Sequence, residues 1–113
     1  MPIANCYTNK ITVSEKQLEA LTNEWAQILR IDLKDICLTF IDTSYQAGQH
    51  YKIMVNLFLP SLWSKAGVKN IQLTLLRQLI NHLNLHENDI FIITSIIESC
   101  HVVENGEVVE WKC

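Results

Sequence analysis

The chain has 113 residues, 49% of them hydrophobic, and a formal net charge of −3. That length suits one domain over residues 1–113, able to bury roughly 65% of its unfolded surface. There is no basic cluster to neutralise phosphates, no run approaching the ~20 apolar residues of a membrane span, and no signal-peptide pattern. Nucleic-acid binding, a membrane-spanning helix and secretion are all disfavoured.

The first stretch, Met1-Pro2-Ile3-Ala4-Asn5-Cys6-Tyr7, reads as a short strand starting at the N-terminus. Its second residue carries chemistry. Removal of Met1, common when a small residue follows, leaves Pro2 as a secondary amine. An α-amino group titrates at roughly 7.7–8.0, and an apolar setting disfavours the ammonium further. Pro2 is therefore the candidate general base. With Met1 retained, the same nitrogen is a tertiary amide and has no basicity.

A polar turn from Thr8 to Val13, containing Lys10, precedes Ser14-Glu15-Lys16-Gln17. Those four residues fit a capping box, with Ser14 as N-cap and Gln17 reaching back to it. Leu18, Leu21, Trp25, Ile28 and Leu29 follow at helical spacing and predict a helix over residues 15–29. Ile36 to Ile41 reads as a strand, apolar on both alternations as in a strand covered on both faces. Asp42 to His50 is a polar loop.

The second half repeats the plan. Tyr51 to Leu59 reads as a strand ended by Pro60. A helix follows with Val68, Ile71, Leu75, Leu79 and Leu83 on one face, then a strand over Ile90 to Ile97. Leu29, Ile31, Asp35, Ile36 and Leu38 match Leu83, Leu85, Asp89, Ile90 and Ile92 at one constant offset. That register indicates a duplicated βαβ unit, each half with a right-handed crossover. In the tail, Val102-Val103-Glu104 and Glu107-Val108-Val109 flank Asn105-Gly106, a strong hairpin signal. A two-residue turn sets Glu104 opposite Glu107 and Cys100 opposite Trp111, which argues against a disulfide from Cys100 to Cys113.

The expected fold class is α+β: duplicated βαβ units forming a four-stranded mixed sheet, two helices on one face, and a C-terminal β-hairpin. Two helices cover one sheet face only. The other face would be a larger apolar patch than soluble monomers carry, so further copies of the chain are expected to cover it. Cys6 and Cys37 are expected to pack as small hydrophobes, with thiols reduced in a cytosol. No cysteine spacing suggests zinc. His82 and His86 stand four apart, but the helix is expected to end before His86, so neither a metal site nor a cofactor is expected.

A free N-terminal proline on the first strand, two βαβ repeats and a sheet face left for partners together resemble the tautomerase superfamily. Members include oxalocrotonate tautomerase, macrophage migration inhibitory factor and malonate semialdehyde decarboxylase. The resemblance covers nearly the whole chain and rests on Met1-Pro2-Ile3, on the repeat, and on Phe91-Ile92-Ile93 leading to Asn105-Gly106-Glu107. It implies a homotrimer, with Pro2 acting as base on small keto or enol acids. Two departures count against decarboxylation or dehalogenation. Leu62-Trp63-Ser64-Lys65 stands where those members carry paired arginines, and Ser99-Cys100-His101 replaces their acidic-Asn-Trp run.

A carboxylate substrate needs a cation, and three residues are candidates. Lys10 follows the first strand, Arg30 ends the first helix, and Lys65 adjoins the missing arginine pair. Trp63 and Trp111 are candidate apolar walls around Pro2. The expected function is tautomerisation of a small keto or enol acid. The alternatives are a non-catalytic trimeric binding or signalling protein of the same fold, and a ferredoxin-like regulatory domain.

Overall fold

The computed structural model describes residues 2–111. In chain order the elements are β1 (Ile3–Asn9), α1 (Glu15–Leu29), β2 (Cys37–Thr43), β3 (Ile53–Pro60), α2 (Lys65–Leu83), β4 (Ile90–Ile97), β5 (Val102–Glu104) and β6 (Glu107–Val109). Helix α1 begins where its capping box requires. The Ser14 hydroxyl accepts from the Gln17 N–H at 3.1 Å, and the Gln17 side chain accepts from the Ser14 N–H at 2.9 Å.

The repeat survives in the hydrogen bonds. Each helix ends on a left-handed residue, Arg30 or Asn84. Two residues later Asp32 and His86 cap short 3₁₀ turns, Leu33–Asp35 and Glu87–Asp89, which deliver the chain to β2 and β4. The N–H of Ile31 reaches the Ala26 carbonyl at 3.0 Å, and that of Leu85 reaches the Ile80 carbonyl at 3.2 Å. His86 lies past the end of α2, and its Nδ1 accepts from the Asn88 N–H.

The sheet order is β2-β1-β3-β4. The outer pairs β1–β2 and β3–β4 are parallel, and the central pair β1–β3 is antiparallel. A ferredoxin-like plait is antiparallel throughout, so the pairing excludes that alternative. Both helices lie on one face. There Ala4, Cys6, Ile53, Val55, Leu57 and Leu59 pack under Leu21, Trp25, Ile71, Leu75 and Leu79. Trp25, fully buried, donates its indole N–H to the Thr74 hydroxyl at 3.1 Å, joining α1 to α2.

The opposite sheet face carries Ile3, Tyr7, Ile41, Met54, Phe58, Phe91, Ile93 and Ile97 by strand alternation. In one chain it is poorly covered: Ile41 is 38% exposed, Phe91 37% and Ile93 54%. Asn5 and Asn56 face each other across the central pair and form a polar row in this apolar surface. Cys37 also lies on this face at an edge strand and is exposed, which corrects the expectation that it packs as a small hydrophobe.

The hairpin turns at Asn105-Gly106, with Val102 opposite Val109 and Glu104 opposite Glu107. Its base departs from simple register. Cys100 takes a positive φ of 71° and its N–H bonds the Val109 carbonyl. Trp111 instead pairs with the Ser99 hydroxyl, which accepts from the Trp111 N–H and donates to the Trp111 carbonyl, both at 2.9 Å. Cys113 lies outside the described residues, and so does Met1.

Candidate functional site

Pro2 stands just before β1. Its carbonyl accepts from the Cys37 N–H at 3.1 Å, which seats it at the head of the β1–β2 pair. Its ring is among the fully buried side chains. The surroundings follow from topology. β1 and β2 start at this end, β3 and β4 finish here, and the hairpin folds back from β4 over the open sheet face.

Between the hairpin and the sheet lies a cavity of about 220 Å³. Ile3, Phe58 and Ile97 form its floor, and Val102, Val109 and Trp111 its roof. Ile3 is the residue next to Pro2, and Phe58 is its cross-strand partner. Among the described lining residues, the one ionisable group is Glu104. The Trp111 indole N–H donates to the Ser61 hydroxyl at 3.1 Å, which pins the roof to the end of β3.

Across that bond lies a second cleft of about 320 Å³, lined by Ser61, Trp63, Lys65 and Lys69 among others. Ser64 caps α2 here by accepting from the Gly67 N–H at 3.0 Å. Lys65 and Trp63 are thus neighbours of each other on this cleft, whereas Trp111 lines the Pro2-end cavity.

Neither of the other two cations lines either space. β1 runs seven residues away from Pro2 before reaching Lys10. At about 3.3 Å per residue that is roughly 25 Å. Lys10 lines a separate cleft with His50, Lys52 and Asp89. Arg30 is exposed at the C-cap of α1, where its backbone N–H closes the helix on Ala26 and Gln27. Of the sequence-derived candidates, the structure brings Trp111 to the cavity beside Pro2 and groups Trp63 with Lys65 next door.

Ser61, Ser99 and Glu104 shape the site without being conspicuous in the sequence. Nothing in the local pattern around Ser61 or Ser99 marks them, because their role depends on the hairpin folding back. Glu104 was legible as a hairpin residue, but its place on a cavity follows from the tertiary fold.

Burial pushes the Cys6 thiol up to about 12, so it stays protonated and inert. His82 Nε2 lies 3.3 Å from Glu24 Oε1, a helix-to-helix contact. Among the described residues no cluster of three or more His, Cys, Asp or Glu is placed to hold a metal ion.

No protein-family model matches the sequence, and no curated relative matches it. Solved structures match in fold. A protein designated N1, a member of the cis-3-chloroacrylic acid dehalogenase family, superimposes with a TM-score of 0.78 at 9% identity over 95% of this chain and 82% of its own. A fused 4-OT wild-type symmetric trimer gives 0.76 at 16% identity, with 94% of each chain covered. Macrophage migration inhibitory factor from Trichinella spiralis gives 0.72 at 15% identity, over 92% of this chain and 96% of its own. These structure neighbours are tautomerase-superfamily members, and the chain shares their fold. In this chain Pro2 immediately precedes β1, and the C-terminal hairpin roofs a cavity whose floor includes the next residue, Ile3. Among the described residues no helix is long and apolar enough to cross a membrane.

Proposed function

We propose that this chain is a keto–enol tautomerase in which Pro2, freed by removal of Met1, is the general base, and that it works as a homotrimer. The observation that carries the reading is the position of Pro2: fully buried, at the head of β1, one residue from the wall of an apolar cavity. Burial disfavours the ammonium form of an amine, so a free Pro2 nitrogen is neutral and basic near pH 7. In the reaction the nitrogen takes a proton from the carbon beside a carbonyl, leaving an enolate. The secondary ammonium then returns a proton, at oxygen or at carbon. Proton transfer by a placed base is worth typically 10²–10⁴-fold.

The trimer is supported by the open sheet face, whose apolar side chains a single chain leaves exposed. It is supported also by fold neighbours solved as trimers, including the symmetric and asymmetric fused 4-OT assemblies.

The test uses two preparations, distinguished by intact mass: one lacking Met1, and one carrying a short N-terminal extension. Each is assayed for ketonisation of an arylenolpyruvate and of its methyl ester. The processed form should convert at least one of them, with a rate that falls at acid pH as Pro2 protonates. The extended form should lose that activity. Equal rates from both forms would remove Pro2 as the base and leave a non-catalytic binding protein of the same fold.

A further inference from the structure

We infer that Asn56 of each copy in the homotrimer hydrogen-bonds Asn5 of the next, and that this contact, rather than the apolar side chains around it, holds the assembly to a single stoichiometry. The inference rests on the trimer reading and names what fixes that assembly.

The strand registers lay the open sheet face out in rows. Its middle row runs Thr39, Asn5, Asn56 and Ile93 across all four strands. Ile3 and Phe58 flank the two asparagines on one side, Tyr7 and Met54 on the other. Asn5 and Asn56 therefore stand on the two central strands, at the part of the face farthest from its edges. They are direct cross-strand partners, which sets their Cβ atoms about 4.5–5.5 Å apart. Each is half-buried in one chain.

Asparagine is depleted in strands, where β-branched and aromatic residues pack better. Two of them at one cross-strand position break the local rule twice, at the place where packed faces bury a residue most deeply. Sequences break such rules at functional positions. One recurring use is specificity: a single buried asparagine fixes the register and the number of chains in coiled coils. Apolar packing has no direction, so the isoleucine, phenylalanine and methionine side chains hold copies together without fixing the angle between them. Hydrogen bonds do have direction.

The amide suits a second copy of this chain. It donates through its NH2 and accepts through its carbonyl, so it complements another amide. Copies around a threefold axis meet head to tail, each giving one patch to one neighbour and another patch to the other. Asn56 faces the next copy and Asn5 the previous one, while the strand register holds the two amides of each chain side by side. Covering the face removes water from both, and the contact between copies replaces the hydrogen bonds that water supplied.

A substitution cycle tests this. Wild type, Asn5→Leu, Asn56→Leu and the double variant are compared as full chains by light scattering and native mass spectrometry. Far-UV circular dichroism follows the fold, which should persist because both side chains point away from the helix-covered core. Wild type should be a single trimer. Each single variant leaves one amide facing leucine and should raise the concentration at which the trimer dissociates about tenfold or more. The double variant removes both amides. It should associate at least as tightly as either single variant, yet spread over several stoichiometries. The same cycle with alanine adds little apolar surface and reads the coupling if the leucine variants aggregate.

Additive weakening in the double variant would overturn the inference, and so would a double leucine variant that remains a single trimer. Single variants that dissociate as wild type does would overturn it too. A wild type of any other size would bring down the trimer reading itself. A trimeric wild type indifferent to Asn5 and Asn56 would bring down this inference alone.

Discussion

The indole N–H of Trp111 meets the Ser61 hydroxyl at 3.1 Å, tying the chain's last described residue to the end of β3. The tie sits between residues fifty positions apart and holds the hairpin down on the sheet. The Ser99 hydroxyl, bonded to the Trp111 backbone at both N–H and carbonyl, anchors the same residue from the hairpin's own base. The cavity beside Pro2 exists because of this double attachment.

Cutting one tie should therefore open the roof without unfolding the sheet. A hydrogen bond of this kind contributes about 1 kcal/mol net. Ser61→Ala should speed hydrogen exchange at Val102 and Val109 several-fold while exchange in β1 and β3 stays slow. Truncation after Ser99 removes the roof entirely and should also weaken the oligomer. Uniform acceleration across the whole chain in Ser61→Ala would show that the hairpin is not a separable unit.

The bond between Trp25 and Thr74 makes a sharper energetic prediction. Both groups are buried, and the Thr74 hydroxyl also donates back to the carbonyls of Asn70 and Ile71. Thr74→Val keeps the shape and leaves the indole N–H without a partner. An unsatisfied buried donor costs about 1–3 kcal/mol. Urea denaturation should show a loss in that range, with the slope unchanged. A neutral effect would mean that water reaches the indole.

The two helix ends invite a paired comparison. Arg30 and Asn84 both take positive φ, 57° and 54°. An ordinary side chain is strained there by roughly 1–2 kcal/mol, whereas asparagine visits the region more readily. Arg30→Gly should raise stability by about 1 kcal/mol and Asn84→Gly by less. Thermal unfolding of the two variants side by side checks the order. A reversal would mean that the Arg30 side chain contributes contacts that offset its strain.

Much of this architecture was legible in the chain. The capping box at Ser14 placed α1 over residues 15–29, and the constant offset between the halves anticipated the matched helix ends and 3₁₀ turns. β4 runs Ile90–Ile97 as its apolar pattern indicated. Strand β1 ran two residues beyond its apolar stretch, to Asn9. There a tertiary ladder decides the matter: the Asn9 N–H bonds the Lys52 carbonyl, and its side-chain amide reaches Thr43. No local pattern carries that information. The position of Lys10 was derivable in part, since a strand that carries the chain away from Pro2 carries Lys10 with it. The separation of Lys65 from the Trp111 cavity was not, because it depends on where the hairpin lands.

Cys6 gives the fold a pH signature. Its thiol ordinarily titrates at 9.0, and burial pushes it up to about 12 in the folded chain. Between those values the unfolded chain has released a proton that the folded chain retains. Stability therefore falls as pH rises, beginning near 9.0 and levelling near 12. The full contribution is on the order of 4 kcal/mol. Cys6→Ala should flatten this alkaline slope, whatever it does to stability at pH 7. At pH 8 a thiol-alkylating reagent should modify the exposed Cys100 quickly and Cys6 only on unfolding. Rapid labelling of Cys6 in the native protein would contradict its burial.

The open sheet face supplies the last prediction. Ile93 is 54% exposed in one chain, on the face that carries Ile41 and Phe91. If three chains pack these faces together, each Ile93 enters an apolar interface, where an unpaired lysine is costly because its charge loses water without gaining a partner. Light scattering at micromolar concentration should give a trimer for the wild type, and Ile93→Lys should shift it to monomer. The fold of each chain should persist, since Ile93 points away from the helix-covered core. Ala20→Lys, at an exposed position of α1, adds the same charge and should leave the trimer intact. A monomeric wild type would mean that the apolar face tolerates water or takes a different partner, and the proposed assembly would fall.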